Sequence, residues 1–557
     1  MVRVALAQMN LVVGDISGNV ARALSAIEKA ASAGAQIVVM PEMTIPGYPA
    51  EDLLLRRSFI EANLSGLAEV ADGATDLVVL VGFAEPAGDL IYNSAAVCAG
   101  GEVAGIYRKH LLPNYGVFDE RRYFAPGDDL LLIEAGDITL GVAICEDAWQ
   151  KDGPLGALGN AGAQAILHLN ASPFHKGKAL EREGLLAERA AQANASIVYV
   201  NLVGGQDEVL FDGGSVVVDH SGEVHARLPQ FEEDLQVVDV PLGPRREAGG
   251  AARRVKVQLP DTRPGSTPVP AQPTEGPAEV YEALTLGLHD YVRKNGFERV
   301  AIGLSGGIDS ALSAALAADA LGADHVLGVL MPSTFSSAHS IEDAELLARN
   351  LGIERMTIPI TTINTSYLDS LESAFGRTEP GVAEENLQAR IRGALLMTIS
   401  NRYGHLVLAT GNKSEIACGY ATLYGDMAGG FAPLKDVFKL EVYELARYRN
   451  SLGPAIPENT LSKPPSAELR PEQQDSDSLP PYDVLDPILA AYIEQDLGAA
   501  EIVATGADEG TVRYVVRLVD AAEHKRRQGA PGPKVTIKSF GRDRRLPITN
   551  RWREYSE

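Results

Sequence analysis

An apolar, β-branched run enters a glycine turn and emerges as a helix pattern in the middle of the chain: Val300-Ala301-Ile302-Gly303-Leu304-Ser305-Gly306-Gly307-Ile308-Asp309-Ser310. A strand that feeds a tight turn opening a helix is the start of a βαβ unit, and such units build parallel sheets. The residues beyond continue the alternation. A helix from residue 279 leads into the strand 299–304. Helix 310–321, strand 325–331, helix 341–351, strand 356–359, helix 389–401 and strand 406–410 follow. This order predicts an α/β domain with a doubly wound parallel sheet, Rossmann-like in layout.

The residues before it read differently. Strand patterns at 37–40, 77–82, 138–144, 165–169 and 197–201 alternate with helix patterns at 18–33 and 178–193. The opening run Val2-Arg3-Val4-Ala5-Leu6-Ala7 is a core strand, cut short by Gln8 and Asn10 and so no signal peptide. This is the pattern of a second layered α/β or α+β domain over 1–240. Residues 241–278 turn to Pro, Gly, Arg and Thr, as in Pro260-Asp261-Thr262-Arg263-Pro264-Gly265-Ser266, and read as a linker or a surface-hugging connection before the domain 279–557. A second polar stretch, 464–481, is long for a loop inside a domain, and loops of that length are usually functional or mobile.

Composition narrows the classes. With 557 residues, 45% of them hydrophobic, the chain has ample material for two cores. A formal net charge of −25 repels nucleic acid unless a local basic patch overrides it. The dense basic cluster is Lys525-Arg526-Arg527, with Arg542, Arg544 and Arg545 beyond, and it reads equally as a solvated face. Three cysteines, Cys98, Cys145 and Cys418, make no disulfide framework and lack metal-site spacing. No apolar run reaches the roughly 18 residues of a membrane span. The expectations are a cytoplasmic protein with no nucleic-acid or membrane partner.

The 303–310 turn suits a phosphate. Glycines at 306 and 307 let backbone N–H groups approach oxygens, the helix N-terminus faces the same anion, and Ser305 and Ser310 supply hydroxyls. Asp309 is an anion beside an anion site, which needs a cation to join them, and Mg²⁺ bridges carboxylate and phosphate oxygens. Further on, Thr410-Gly411-Asn412-Lys413-Ser414-Glu415 offers Thr410 to ATP and Glu415 as a second Mg²⁺ ligand, or is an ordinary exposed turn. Gly425-Asp426-Met427-Ala428-Gly429-Gly430 suggests a close-fitting ligand wall, or a glycine-rich surface loop.

Ser305-Gly306-Gly307-Ile308-Asp309-Ser310 resembles the signature of the ATP pyrophosphatase (PP-loop) superfamily, whose members cleave ATP between the α and β phosphates and adenylate a carbonyl oxygen. No lysine follows the glycines as in a Walker loop, and Met331-Pro332-Ser333 falls where the superfamily meets the nucleoside. With Asn386-Leu387-Gln388-Ala389-Arg390, the 410–436 stretch, Glu523-His524-Lys525-Arg526-Arg527 and Phe540-Gly541-Arg542, residues 279–557 are similar to NAD synthetases. The resemblance implies ATP contacts from Gly303, Leu304, Ser305, Gly306, Gly307, Ile308, Asp309, Ser310, Thr410 and Glu415. It also implies contacts to deamido-NAD from Asn386, Asp426 and Lys525.

A different chemistry is written upstream. Cys145 ends an apolar strand and precedes Glu146-Asp147-Ala148-Trp149. A cysteine so placed is most often core, but a thiolate there would attack a carboxamide if a base and a cation stood by. Glu42, after Ile37-Val38-Val39-Met40-Pro41, could take the proton, and Lys109, after Ile106-Tyr107-Arg108, could stabilise an oxyanion. Each is also readable as a surface charge. Met40-Pro41-Glu42, Tyr107-Arg108-Lys109-His110-Leu111-Leu112-Pro113 and Ile144-Cys145-Glu146-Asp147 together resemble the nitrilase superfamily at all three positions of its triad. That resemblance covers about 1–240. It implies an αββα sandwich with Glu42 as general base, Lys109 as oxyanion stabiliser and Cys145 as nucleophile. Glu120 would orient Lys109, and Tyr115, Ser172 and Lys178 would hold glutamine; Lys178 also reads as a plain helix-start lysine.

This domain order is that of the glutamine-dependent NAD synthetases. The resemblance implies glutamine, deamido-NAD and ATP as substrates, a homo-oligomer, and AMP and pyrophosphate as products. Because free ammonia is mostly ammonium at neutral pH, a closed tunnel between the sites is expected. Two alternatives are another adenylating amidotransferase resembling GMP synthetase, which the 412–436 stretch disfavours, and a non-catalytic nucleotide sensor, which the presence of Cys145 and Asp309 disfavours.

Overall fold

The computed structural model describes residues 1–246, 249–261, 268–376, 381–552 and 554. They fall into two compact units, Met1–Gln206 with Leu210–Thr274, and Asp207–Val209 with Glu275–Glu557. Residues 247, 248 and 262–267 of the expected linker lie outside the described residues.

The first unit is built on two mixed sheets. One has six strands in the order Asp234–Val240, Val2–Gln8, Ile37–Val39, Val78–Ala87, Leu90–Ala99 and Glu102–Arg108. The other has seven, in the order Val224–Arg227, Val216–Val218, Ser196–Asn201, Ala165–Asn170, Ile138–Ile144, Leu131–Ala135 and Arg253–Lys256. Period-two side-chain alternation decides which residues meet. Leu140, Val142, Ile144, Leu167, Leu169, Val198 and Val200 share one core with Val4, Leu6, Val39, Leu80 and Val97 of the other sheet. Their chain neighbours Ala143, Ile166, Ile197 and Tyr199 point the opposite way, onto Leu155, Leu158, Leu186 and Ala190 of the helices Pro154–Asn160 and Lys178–Ala193. On the first sheet, the helices Ile16–Ser32 and Arg57–Gly73 pack against each other and on strands Ile37–Val39 and Val78–Ala87. The result is the αββα sandwich.

The stretch 241–278 is more than a connection. Arg253–Lys256 pairs in parallel with Leu131–Ala135 as an edge strand, its register running Arg253 to Leu131 and Lys256 to Glu134, and Pro277 already opens the helix Pro277–Lys294. The sequence hid the strand because Arg-Arg-Val-Lys has one apolar side chain in four, enough for an edge strand but too little for a pattern.

The second unit has a four-stranded, all-parallel sheet in the order Glu354–Thr357, Val326–Leu330, Val300–Gly303 and Leu406–Leu408. Chain order reverses on either side of Val300–Gly303, and ligands of such sheets bind at the carboxyl ends of the strands beside that reversal. The helix Ile308–Leu321 opens there. The helix expected at 389–401 runs from Val382 to Tyr403. The helix Thr361–Phe375 has no counterpart in the sequence reading, because its Thr-Thr-Ile-Asn-Thr-Ser start carries no amphipathic signal. Beyond the sheet, Leu485, Leu489, Ile493, Val512, Val516 and Val519 form a helical core of their own.

The loop 464–481 is docked. Glu468 accepts from the Ser337 hydroxyl at 2.9 Å and the Ser340 hydroxyl at 2.7 Å, Gln388 donates to the Leu469 carbonyl at 2.9 Å, and Tyr482 donates to Asp475 at 2.9 Å.

Candidate active sites

In the first unit, three strand ends converge. Ile37–Val39 leads to Glu42, Glu102–Arg108 to Lys109, and Ile138–Ile144 to Cys145. The Lys109 ammonium donates to Glu42 Oε1 at 2.7 Å and to Glu120 Oε1 at 2.8 Å, with all three side chains buried. Glu42 is held from further sides by Asn93, whose amide donates at 2.7 Å, and by the Ala171 N–H at 3.0 Å. Tyr48 donates its hydroxyl to Glu120 at 2.8 Å. Strand Val78–Ala87 passes so close beneath Glu42 that a Cβ on Gly82 would lie 2.2 Å from the Met43 nitrogen, so only glycine fits.

Cys145 starts a short 3₁₀ turn, Cys145–Ala148, with 2% of its surface exposed and a left-handed φ of 38°. A non-glycine residue in that region stores strain, a common property of reactive positions. Burial first, then the charge of Glu42, push its thiol well above the ordinary value, with Lys109 opposing. For Lys109, burial works against the ammonium, but Glu120 and Glu42 outweigh it and the pKa rises. Burial pushes Glu120 up to about 7 despite Lys109. The cluster thus sets a thiol held protonated and a lysine held charged among two carboxyl groups that share one ammonium.

Tyr115 and Lys178 attach to the turn that carries the cysteine. Tyr115, half-exposed, donates to Glu146 at 2.9 Å. The Lys178 ammonium lies 3.6 Å from the centroid of the Trp149 ring and 3.2 Å from Glu181. Ser172 is buried, its N–H bonded to Asn201 at 2.9 Å, and it follows the Ala171 that holds Glu42. Sequence reading missed Asn93 and Tyr48, which lie in no motif, and gave no role to Asp147, although it stands in the Ile144-Cys145-Glu146-Asp147 phrase.

In the second unit, the turn after Val300–Gly303 is closed by its own hydroxyls. Ser305 Oγ accepts from the Gly307 N–H at 3.1 Å and lies 3.1 Å from Ser310 Oγ, which donates to the Gly307 carbonyl at 3.0 Å. Gly306, at φ 82°, meets a constraint that the sequence did not show. A Cβ there would lie 2.2 Å from the Ser340 carbonyl oxygen, so helix Ala338–Leu351 demands it, whereas a Cβ at Gly307 would meet, among the described residues, Ser305 Oγ at 3.2 Å. Gly303 and Thr410 sit half-buried, Leu304 and Ile308 buried, at the same end of the sheet.

Asp309 accepts from Asn412 at 2.8 Å and from Lys439 at 2.6 Å, and Lys439 also donates to Glu415 at 3.0 Å. The cation joining the two acids is therefore the Lys439 ammonium, a residue the sequence did not flag. Among the described residues no cluster of three or more His, Cys, Asp or Glu is arranged for a metal ion. Asn386, Asp426 and Lys525 meet around one loop. Thr422 donates its hydroxyl to Asn386 at 2.8 Å and its N–H to Asp426 at 2.7 Å, while Lys525 donates to the carbonyls of Gly419 and Ala421 at 2.7 and 2.9 Å. Burial raises the Asp426 pKa and lowers that of Lys525.

Known proteins resemble this chain along its whole length. Residues 3–249 match the carbon-nitrogen hydrolase family and residues 280–529 the NAD synthase family. A glutamine-dependent NAD(+) synthetase of Thermotoga maritima is 49% identical, over 99% of this chain and 99% of that one. One from Aquifex aeolicus is 46% identical, over 99% of this chain and 100% of the other. The solved glutamine-dependent NAD⁺ synthetase of Acinetobacter baumannii in complex with ADP is 44% identical and aligns over 100% of both chains with a TM-score of 0.76. With two family matches in this order and near-half identity along its whole length, the chain belongs to the glutamine-dependent NAD(+) synthetases.

Proposed function

We propose that the protein is a ligase that takes nitrogen from glutamine to make NAD, in the balance deamido-NAD + ATP + glutamine + water → NAD + AMP + pyrophosphate + glutamate. The observation that carries this reading is the buried Lys109 ammonium between Glu42 and Glu120 beside Cys145, in the same chain as the Ser-Gly-Gly-Ile-Asp-Ser turn of a parallel sheet.

Glu42 takes the Cys145 proton as the sulfur attacks the glutamine amide carbon. The Lys109 ammonium, kept charged by its two carboxylates, stabilises the tetrahedral oxyanion. The proton on Glu42 then goes to the departing ammonia, and water activated by Glu42 releases glutamate from the thioester. Glu120 keeps Lys109 in place. Glu146 and Lys178 offer opposite charges beside Cys145, which suits the zwitterionic end of an amino acid, with Tyr115 and Ser172 completing the glutamine site.

In the second unit, Gly303, Leu304, Ser305, Gly306, Gly307, Ile308, Asp309, Ser310, Thr410 and Glu415 bind ATP, and Asn386, Asp426 and Lys525 bind deamido-NAD. The deamido-NAD carboxylate attacks the α-phosphorus, pyrophosphate leaves, and ammonia displaces AMP. Asp309 and Glu415 hold Mg²⁺. Two carboxylates converging on one ammonium already form a cation position, and two carboxylates are what Mg²⁺ takes from a protein when phosphates supply further ligands. When bound, the ion neutralises phosphate charge. Ammonia passes sheltered from bulk water in a cytoplasmic homo-oligomer, since protonation would quench it.

The test is NAD formation from deamido-NAD, ATP and Mg²⁺ with glutamine or ammonium as donor. Cys145→Ala should lose synthesis from glutamine and keep synthesis from ammonium. No NAD from either donor in the wild type would overturn the reading.

A further inference from the structure

Lys439 occupies the position assigned above to Mg²⁺. It opens the helix Lys439–Ser451 with 2% of its surface exposed. Its backbone is pinned: its N–H donates to Ser414 Oγ at 2.9 Å, Ser414 donates to Asp486 at 2.5 Å, and the Leu440 N–H donates to the same Asp486 at 3.0 Å. From that anchor the side chain reaches Asp309 at 2.6 Å and Glu415 at 3.0 Å.

We propose that Lys439 is an internal place-holder cation. It fills the Asp309–Glu415 position in the nucleotide-free enzyme, bars free Mg²⁺ from it, and yields only to a metal that arrives already bound to a nucleoside triphosphate. The inference rests on the metal reading given under the proposed function and adds an order of binding to it.

Three observations combine. First, two partly buried carboxylates that converge on one point repel each other unless a cation lies between them, and the ammonium removes that cost without a metal. Second, the geometry favours the exchange over coexistence. Mg²⁺ holds oxygens at about 2.0–2.1 Å and dehydrates reluctantly. Replacing the ammonium therefore needs the carboxylate oxygens to draw in by only about half to one ångström, but leaves no room for both cations. A hydrated ion offered two carboxylates must shed water and expel a hydrogen-bonded lysine. An ion carried on ATP has shed part of its water already and brings phosphate oxygens. Third, the displaced ammonium stays tethered by its pinned backbone beside the 303–310 turn, where the incoming phosphates bring the negative charge it has lost.

The experiment uses Mn²⁺ alone as the probe on the full chain, read by electron paramagnetic resonance, with and without a non-hydrolysable ATP analogue. Wild type should take up Mn²⁺ at this position only with the analogue, about tenfold or more tighter than without it. Lys439→Met should bind Mn²⁺ without nucleotide about tenfold or more tighter than wild type. Its melting temperature should fall in EDTA and recover with Mn²⁺, while that of the wild type does not respond to Mn²⁺. Lys439→Gln, which keeps a donor, should behave in the same direction and serves if the methionine variant does not fold. Wild-type protein that binds Mn²⁺ equally well with and without the analogue overturns the place-holder and leaves the metal site standing. Wild-type protein that binds no Mn²⁺ even with the analogue, or a Glu415→Gln variant that binds it undiminished, overturns the metal reading itself.

Discussion

Tyr107 donates its hydroxyl proton to Asp147 at 2.7 Å, both residues buried, and so ties the strand that leads to Lys109 to the turn that carries Cys145. The same carboxylate accepts the N–H groups of Ile144 at 2.9 Å, Leu111 at 3.0 Å and His110 at 3.2 Å. Ile144 precedes the cysteine and His110 follows the lysine. One acid therefore sets the separation of two reactive side chains without facing either. Asp147→Ala would strand four donors, at about 1–3 kcal/mol for a buried group left unpaired. Urea unfolding should show a loss of about 3 kcal/mol or more. A milder Asp147→Asn should lower glutamine-driven synthesis about 100-fold by misplacing the thiol, with ammonium-driven synthesis as the control.

Lys109→Met removes the one positive charge between two buried carboxylates. Breaking such a cluster from one side costs about 3–5 kcal/mol. Glutaminase activity should vanish, and the variant should melt well below the wild type at pH 8, less so at pH 5, where one carboxyl carries a proton. Equal melting of wild type and variant at both pH values would contradict the shared-charge picture.

Glu120 gives the pH dependence a sign. Its folded pKa, pushed up by burial to about 7, lies above the ordinary carboxylate value. The proton it keeps in the folded state contributes stability that is fully present below about pH 4.5 and lost as pH rises through about 7. The melting temperature of Glu120→Gln should accordingly fall less than that of wild type between pH 5 and 8. Parallel curves would show that Glu120 titrates at its ordinary value.

Gly82→Ala and Gly306→Ala separate the two sites. The first drives a methyl into the backbone beneath Glu42 and should reduce glutamine-driven synthesis while sparing synthesis from ammonium. The second adds strain at positive φ and a clash with Ser340, at a cost of about 1–3 kcal/mol, and should weaken ATP binding measured by calorimetry. Its synthesis from both donors should fall together.

What was legible in the sequence follows from what leaves a pattern. Apolar strands such as Ile138–Ile144 and helices such as Lys178–Ala193 announce themselves by periodicity, and their observed bounds are those expected. Glu42 and Lys109 stood out because each ends a strand within a distinctive phrase. Lys439 did not, because a lone lysine at a helix start has no signature and its meaning arises only where the chain brings Asp309 and Glu415 to it across long sequence separations. Asn93 and Tyr48 were invisible for the same reason. At Gly306 the close approach of the Ser340 carbonyl was not legible, since sequence does not show which helix lies against the turn.

The strand Arg253–Lys256 has a practical corollary for anyone dissecting the chain. It covers the outer rim of Leu131–Ala135, whose Leu131, Leu132 and Ile133 are fully apolar and buried. A recombinant first half ended at residue 249, where the carbon-nitrogen hydrolase match stops, would shed that cover and present unpaired N–H and C=O groups along a hydrophobic rim. Such a fragment should self-associate through that rim, whereas one carried through Thr274 keeps its border sealed by the arginines and lysine of its own edge strand.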